Sequence, residues 1–346
     1  MINIIAPINQ LGYGVAGLNI VKALSKISSV ALWTIGQAQI TTQEDANICK
    51  EAIEMSSIYD ADRPCVRIWH QNDLAQFVGK GKRIGFPIFE LDTFNSVELH
   101  HLRNVDELFV CSNWAKNIIK NNDIDIPTKV VPLGVDASIF KPVQPAEREK
   151  TIFFNCGKWE IRKGHDILIK AFKQAFDEND NVELWMMCQN PFNSPQEENQ
   201  WQSLYHDPKI KIIPRVETQE QVYNIMTKID CGVFPSRGEG WNLEALELMA
   251  CGKHVIATDY SAHTEFCTKD NADLVTITEK ELAFDNKWFH GQGGWAKISE
   301  PQVEQLASYM KEFHLKQKRH TINQNGVETA LKFSWDNTAR KIIEHV

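Results

Sequence analysis

Short apolar runs alternate with longer segments of mixed apolar and polar residues along the first half of the chain. The short runs predict strands at residues 2–6, 30–35, 65–69, 108–111 and 129–131. The mixed segments have helical spacing at residues 15–27 and 113–120. Strands that alternate with helices in this way predict a parallel sheet covered by helices on both faces.

The same pattern starts again in the second half. Strands are expected at residues 151–155, 182–187, 210–213, 231–234 and 254–257. Helices are expected at residues 165–176, 219–227 and 242–251 and after Pro301, and Thr218 with Gln221 has the form of a capping box. Two polar or glycine-rich stretches, residues 189–202 and 285–297, are interpreted as a surface loop and an irregular segment.

Two alternating runs predict two doubly wound α/β domains. The first is expected at residues 1–145 and the second at 150–330, with a linker at the proline-containing residues 141–145. In doubly wound folds the ligand binds at the carboxyl ends of the strands, so we expect the ligand site in a cleft where the two domains face each other.

Composition narrows the class of protein. A length of 346 residues fits about two domains, and 43% hydrophobic with 24% charged residues is typical of a folded globular chain. The first residues lack the pattern of a secretory signal, no apolar run could span a membrane, and the eight cysteines contain no C-x-x-C pair. We therefore expect a cytoplasmic protein with reduced cysteines and no zinc site.

The net charge limits the partners. The chain carries 37 Lys and Arg against 45 Asp and Glu, a net charge of −8. This balance argues against nucleic acid as a partner, because phosphate binding needs a basic surface. No basic amphipathic helix dominates the sequence, so membrane contact is expected to be at most peripheral.

A glycine-rich motif follows the first strand. Residues 12–17 read G-x-G-x-x-G and open a helix, as in dinucleotide-binding proteins. However, the second strand is not followed by the acidic residue that would hold a ribose, and the turn before Gly12 is long. We expect Gly12 and Gly14 to allow close approach of an anionic ligand rather than to bind a nicotinamide cofactor.

Two further strand-to-helix connections carry charged residues. Lys158, Arg162 and Lys163 precede a helix, where three cations are unfavourable unless an anion lies between them. Glu239 lies in the second connection, and Glu247 follows within the next helix. The separation of these two carboxylates, up to ~12 Å along a helix, is too long for a glycosidase pair and fits contacts to two ends of one extended ligand.

In these contexts the chain resembles the retaining glycosyltransferases of family 4, which have the GT-B fold. The resemblance covers nearly the whole chain, and its most specific motif is E-x7-E at Glu239 and Glu247, followed by Ala250-Cys251-Gly252. Supporting matches are Gly157-Lys158 with Arg162-Lys163-Gly164, the Gly12–Gly14 loop, the run Val131–Asp136, Phe89-Glu90, Cys111-Ser112 and Ile68-Trp69-His70. Two departures are Lys158, where the family often has Arg, and Trp241, where Phe or Ser is common.

The resemblance implies a set of site residues. The catalytic residues would be His70, Lys158, Lys163 and Glu239, with the two lysines on the donor diphosphate and Glu239 on the transferred sugar. The donor-binding residues would be Gly12, Gly14, Gly240, Trp241, Asn242, Leu243 and Glu247, the last on the ribose hydroxyls. It also implies that the C-terminal helix, residues 334–346, crosses back to the N-terminal domain.

The implied reaction moves a sugar from a nucleoside-diphosphate sugar to a hydroxyl acceptor, a carbohydrate or lipid-linked molecule, with retention of anomeric configuration. No metal or other cofactor is expected, since the cations and the helix start can stabilise the departing diphosphate. Two alternatives stay open: a non-catalytic subunit that binds a sugar nucleotide, and another GT-B enzyme, such as a phosphorylase or a sugar-nucleotide epimerase.

Overall fold

The computed structural model describes all 346 residues, and the chain divides into two compact units. The first unit comprises Met1–Val135 and Lys332–Val346, and the second comprises Asp136–Leu331. Residues 136–145, which the sequence pattern assigns to the first domain, lie in the second unit. The Val143 N–H donates a hydrogen bond to the Cys251 carbonyl, and the Phe140 ring lies 6.2 Å from that of Tyr223.

The first unit is a parallel sheet with helices around it. Its strands are β1 (Ile2–Ala6), β2 (Val30–Thr34), β3 (Cys65–Arg67), β4 (Arg83–Gly85), β5 (Glu107–Val110) and β6 (Thr128–Val130). Its helices are α1 (Gly12–Ser25), α2 (Gln43–Met55), α3 (Ser96–Arg103), α4 (Asn113–Asn121) and, from the end of the chain, α12 (Trp335–His345). The six strands lie in the order β2-β1-β3-β4-β5-β6.

The C-terminal helix completes the first unit. Helix α12 packs against α1, and the Thr338 hydroxyl donates a hydrogen bond to the Pro132 carbonyl. A side chain at Gly134 would place its Cβ 2.2 Å from the Trp335 nitrogen, so the two segments meet at backbone distance. The end of the chain is therefore part of the packing of the unit that contains the N-terminus.

The second unit contains a parallel sheet and a separate hairpin. Its strands are β7 (Thr151–Gly157), β8 (Val182–Cys188), β9 (Ile210–Ile212), β10 (Cys231–Phe234), β11 (His254–Thr258), β12 (Asp273–Val275), β13 (Lys280–Phe284) and β14 (His290–Ala296). Its helices are α5 (His165–Ala175), α6 (Pro195–Leu204), α7 (Gln219–Met226), α8 (Leu243–Ala250), α9 (His263–Phe266), α10 (Glu300–Leu315) and α11 (Gln324–Lys332). The sheet order is β12-β11-β10-β7-β8-β9, and β13 pairs with β14 alone.

Burial follows the doubly wound arrangement. Every residue of the central strands β1, β5 and β10 is buried, as expected for parallel strands with helices on both faces, whereas the edge strand β9 is partly exposed. In the second unit Phe153 of β7, Phe172 of α5 and Leu306 of α10 belong to one buried cluster. The prediction of two doubly wound α/β units with parallel sheets is confirmed.

Two local predictions were wrong. The segment 189–202, interpreted as a loop, contains most of helix α6, which begins with a capping box between Ser194 and Glu197 and has proline at its first position. The segment 285–297, interpreted as irregular, contains β14. This glycine-containing strand forms because β13 provides an antiparallel partner.

Candidate functional site

The candidate site of the second unit lies where its strand order reverses. Strands β7 and β10 are neighbours, and their following connections diverge to helices on either side. We call residues 158–164 loop A and residues 235–242 loop B. Such a reversal leaves a crevice at the carboxyl ends of the strands, which is the usual ligand position in doubly wound sheets.

Loops A and B are held together by backbone contacts. The Arg237 N–H of loop B donates a hydrogen bond of 2.7 Å to the Arg162 carbonyl of loop A. Gly164 has φ 73°, and a Cβ there would lie 1.9 Å from the Pro235 carbonyl oxygen. Only glycine fits this left-handed position at such a close approach, so the contact between the loops depends on it.

A buried network of ion pairs joins the two loops. The Arg162 guanidinium donates to the Glu160 carboxylate (2.7 Å), the Gly238 carbonyl (2.7 Å) and the Glu239 carboxylate (3.0 Å). The Lys163 ammonium lies 2.9 Å from the other oxygen of Glu239, and Lys158 lies 2.8 Å from Glu160. The three cations seen in the sequence are thus separated by two carboxylates.

The network fixes the charge state of Glu239. Burial alone would raise the pKa of this carboxyl, but Lys163 and Arg162 outweigh burial and hold the pKa well below its usual range. In the same way, burial would lower the pKa of Lys163, and Glu239 reverses that effect and raises it. Both side chains are therefore ionised at neutral pH although both are buried.

His165 anchors loop A to the sheet. Its Nδ1 accepts the Glu160 N–H (3.1 Å), and its Nε2 lies 3.0 Å from the Asn155 side-chain oxygen. Since the Asn155 amide nitrogen donates to the Val233 carbonyl, its oxygen is the acceptor for an Nε2–H. Burial lowers the pKa of His165 to about 3, so the imidazole is neutral with the proton on Nε2.

Loop B ends in the N-terminus of α8. Asn242 caps the helix with φ 83°, and its side chain accepts the Ala245 N–H (3.1 Å). The Asn242 amide also contacts His263 Nε2 (2.8 Å), whose Nδ1 lies 3.0 Å from the Thr258 carbonyl. The first N–H groups of a helix have no intrahelical partners and favour an anion there.

The neighbours of Asn242 differ in exposure. Gly240 and Trp241 are buried, and the Trp241 ring packs 5.2 Å from Phe266, so this indole is part of the interior. Leu243 is partly exposed at the first position of the helix.

Glu247 differs from Glu160 and Glu239, which both contact cations. It lies in α8 with 7% of its surface exposed, and its carboxyl has no hydrogen-bond donor or cation beside it. Burial, and then the nearby Glu244, raise its pKa to about 8. An unpartnered buried acid costs free energy, and a group of this kind is a candidate position for a ligand that supplies the missing donors.

The candidate residues of the first unit lie at its own strand-order reversal, after β1 and β3. Gly12 is the first residue of α1, and a Cβ there would meet nothing within 4 Å, whereas a Cβ at Gly14 would lie 2.4 Å from the Asn9 backbone. His70 is exposed, and its ring lies 4.6 Å from that of Tyr13. The Tyr13 hydroxyl donates to the Ile88 carbonyl (2.7 Å).

The structure thus brings several predicted residues together within the second unit. Lys163 and Glu239 are in direct contact, and Lys158 joins them through Glu160 and Arg162. Sequence reasoning assigned no role to Glu160, His165 or His263, and it did not include Arg162 among the site residues. Arg162 stood in the motif as a third cation, but its partner in loop B is 77 positions away.

The structure groups no three His, Cys, Asp or Glu side chains in an arrangement able to hold a metal ion. None of its helices combines the length and hydrophobicity that crossing a bilayer requires.

Comparison with known proteins bears on the fold and on the broad class of protein. The family model described as glycosyl transferases group 1 matches residues 149–286, which contain loops A and B and helix α8. The structure of Anabaena HepE in complex with UDP and glucose superimposes with a TM-score of 0.70 at 15% identity, covering 99% of this chain and 98% of that one. The chain has the GT-B fold.

Curated relatives match a smaller part of the chain at somewhat higher sequence identity. A protein of Sulfolobus islandicus filamentous virus, named as a candidate glycosyltransferase, is 20% identical over 75% of this chain and 73% of its own length. An MMP α-(1→4)-mannosyltransferase of Mycolicibacterium hassiacum is 28% identical over 50% of this chain and 42% of its own. Together with the family match and the fold, these relatives support a glycosyltransferase.

Proposed function

We propose that this chain transfers a sugar from a nucleoside-diphosphate sugar to a hydroxyl acceptor, with retention of anomeric configuration and without a metal ion. The observation that carries the proposal is Glu247, a buried carboxyl group with no protein partner. It lies in the same helix whose N-terminus ends loop B. The two vicinal hydroxyls of a ribose would supply the donors that this carboxylate lacks.

The other donor contacts follow from the same geometry. The diphosphate carries charge that Lys158, Lys163 and the N–H groups at the start of α8 complement, so we assign the phosphates to Gly240–Leu243 and the two lysines. Glu239 is ionised and fixed, and it would accept hydroxyl groups of the transferred sugar. Trp241, buried against Phe266, would shape this loop from the interior rather than stack on the sugar.

The chemistry requires stabilisation of a leaving group. The bond between the anomeric carbon and the diphosphate breaks, and the acceptor oxygen bonds the same carbon from the same face. The acceptor proton passes to a phosphate oxygen of the departing diphosphate. Lys158, Lys163 and the helix N-terminus stabilise the negative charge that develops, which is the role that a metal ion has in other transferases.

The first unit contributes residues that the family resemblance names. We assign His70 to the transferred sugar as a catalytic residue, and Gly12 and Gly14 to the approach of the donor to the start of α1. Gly12 suits this role because a Cβ there would meet no atom within 4 Å. Gly14 is needed for packing, since a Cβ there would clash with Asn9.

The acceptor is proposed to be a carbohydrate or a lipid-linked molecule. One relative is a GDP-mannose-dependent α-(1-6)-phosphatidylinositol dimannoside mannosyltransferase of Mycobacterium tuberculosis, 25% identical over 42% of this chain and 39% of its own length. HepE was crystallised with UDP-glucose. UDP-sugars and GDP-sugars are thus the donors to test first.

The first experiment is a thermal unfolding series with UDP, GDP, ADP and NAD, each with and without EDTA. A ligand at ~100 times its Kd adds ~2.7 kcal/mol of stability. We expect one nucleoside diphosphate to raise Tm equally with and without EDTA, and the rise to be lost in Glu247→Ala. A rise with NAD alone would contradict the proposal.

A second assay separates transfer from simple binding. Released nucleoside diphosphate is measured with and without a glycan or glycolipid acceptor. A transferase releases it only when the acceptor is present. If the protein binds the sugar nucleotide but releases no nucleoside diphosphate with any acceptor, the result favours the non-catalytic subunit. Conversion of the sugar nucleotide into an isomer would favour an epimerase.

A further inference from the structure

Glu239 has two cationic partners, and they are engaged to different extents. Arg162 is 5% exposed and donates to Glu160, to the Gly238 carbonyl and to Glu239. Its own carbonyl accepts the Arg237 N–H. Both terminal nitrogens of the guanidinium thus have acceptors, and these acceptors lie in both loops.

Lys163 is held much less completely. Its ammonium carries three N–H donors, and Glu239 is the acceptor that the structure provides, at 2.9 Å. The residue is only 8% exposed, so water cannot fully solvate the remaining donors. A buried cation with unfilled donors is positioned to take a second, anionic partner.

We propose that Arg162 is a positioning residue, the permanent counter-ion of Glu239, and that Lys163 is an exchangeable counter-ion that turns to the donor diphosphate. This inference rests on the proposed function. When Lys163 turns, Glu239 keeps Arg162 and the Ser236 hydroxyl, which donates to it at 2.8 Å. The carboxylate therefore stays ionised and in place to accept the hydroxyls of the sugar.

The surroundings of Glu239 offer no substitute for Arg162. Besides Arg162 and Lys163 from loop A, the titratable group that faces it is His263, which burial keeps neutral by lowering its pKa. Glu244 of α8 faces Lys163 and competes with Glu239 for its charge. Without Arg162, one ammonium would have to serve Glu239, Glu244 and the diphosphate at once.

The test measures the titration of Glu239 in the ligand-free protein and the affinity for nucleotides. The protein is labelled with 13C at glutamate side chains, and the Glu239 signal is assigned by its absence in Glu239→Gln. Arg162→Met removes the positive charge. Arg162→Lys keeps the charge but lacks the planar guanidinium that donates to several acceptors at once. The matched control is Arg148→Met, which breaks the ion pair of Arg148 with Asp230 (2.6 Å) in the same unit. Affinities for UDP, GDP and ADP are measured by calorimetry.

We expect the pKa of Glu239 to rise by at least one unit in Arg162→Met and to stay close to the wild type in Arg162→Lys and Arg148→Met. The affinity for the nucleotide that the wild type binds should fall at least tenfold in Arg162→Met and less than threefold in Arg148→Met. If Arg162→Met does not fold, the pKa of Glu239 and the nucleotide affinity are measured in Arg162→Gln, whose side-chain amide can still donate to the Gly238 carbonyl.

Each other outcome has a definite meaning. An unchanged titration of Glu239 in the folded Arg162 variants overturns the assignment, even if affinity falls, because the arginine would then act only through packing. A shifted titration with unchanged affinity overturns the exchange of Lys163. A wild-type protein that binds none of the three nucleotides overturns the proposed function, and the titration still decides whether Arg162 is the counter-ion of Glu239.

Discussion

Lys163 and Glu239 form a buried ion pair between the two loops of the site, with Nζ and Oε1 2.9 Å apart and both side chains at least 90% buried. Removing one partner of such a pair leaves the other charge uncompensated. The same lysine is one of the two cations that we assign to the departing diphosphate. Its replacement therefore affects both the loop structure and the reaction.

We predict that Lys163→Ala lowers kcat/KM at least tenfold, which corresponds to ~1.4 kcal/mol of lost transition-state stabilisation. Activity is measured at a temperature where circular dichroism shows the variant to be folded. Lys311→Ala is the control, because Lys311 pairs with Asp180 in the same unit outside the site. A folded Lys163→Ala with wild-type kcat/KM would show that this lysine does not stabilise the leaving group.

A second prediction concerns the pH dependence of donor binding. Burial raises the pKa of Glu247 to about 8, so the carboxyl is neutral at pH 7 and ionised at pH 9. Ribose hydroxyls donate better to the carboxylate, and affinity for the nucleoside diphosphate should therefore rise roughly tenfold between pH 7 and pH 9. Calorimetry in Glu247→Gln should show weaker binding without this rise. A pH-dependent rise that persists in Glu247→Gln would assign it to another group.

A third prediction concerns the stability of the ligand-free protein. The folded pKa of Glu247 lies above the unfolded value, so the native state binds the additional proton between pH 4.5 and pH 8. The free energy of unfolding contributed by this group is present below pH 4.5 and is lost as the pH rises to about 8. We expect Glu247→Gln to raise Tm by a few degrees at pH 8.5 and to change it little at pH 5. Equal shifts at both pH values would contradict the burial of an unpartnered carboxyl.

Sequence reasoning predicted the elements well where one pattern dominated. Strand β1 and strand β10 were predicted at their observed bounds because both are short, wholly buried runs between turn-forming residues. Strand β4 and helix α2 were missed. Strand β4 has only three residues, of which Arg83 is exposed. Helix α2 buries few of its residues. Neither segment therefore shows a clear repeat of apolar residues along the sequence.

The polar network of the site was beyond sequence reasoning for a different reason. The cations of loop A and the carboxylate Glu239 could be recognised as chemistry-bearing groups. Their pairing depends on β7 and β10 lying side by side, which is a property of the sheet order. The isolation of Glu247 is likewise visible only once the neighbours of α8 are in place.

A fourth prediction compares two glycines of the first unit. Gly12→Ala adds a methyl group to open space at a helix start, so Tm should stay within about one degree while kcat/KM falls if the donor approaches this backbone. Gly14→Ala places Cβ 2.4 Å from the Asn9 backbone and should lower stability by about 2 kcal/mol or more. Thermal unfolding and initial rates of both variants check the pair. An unaltered rate in Gly12→Ala would remove Gly12 from the donor-binding residues.

A fifth prediction tests His70. This side chain is exposed in the first unit, so His70→Ala should fold normally. We expect kcat to fall at least tenfold and the affinity for the nucleoside diphosphate to stay within about twofold, because the histidine is assigned to the sugar and not to the nucleotide. His290→Ala, an exposed histidine of the β13–β14 hairpin, is the control. Loss of nucleotide affinity in His70→Ala would place the residue on the nucleotide instead.

The return of the chain to the first unit has a consequence for biosynthesis. Residues 1–135 leave the ribosome before the second unit, and α12, which packs on α1, is translated after it. The second unit is contiguous, so it can reach its native state before the first is complete. Until α12 leaves the ribosome, the surface of α1 that α12 covers stays exposed, and a nascent chain stalled near residue 331 would expose apolar surface to chaperones and proteases.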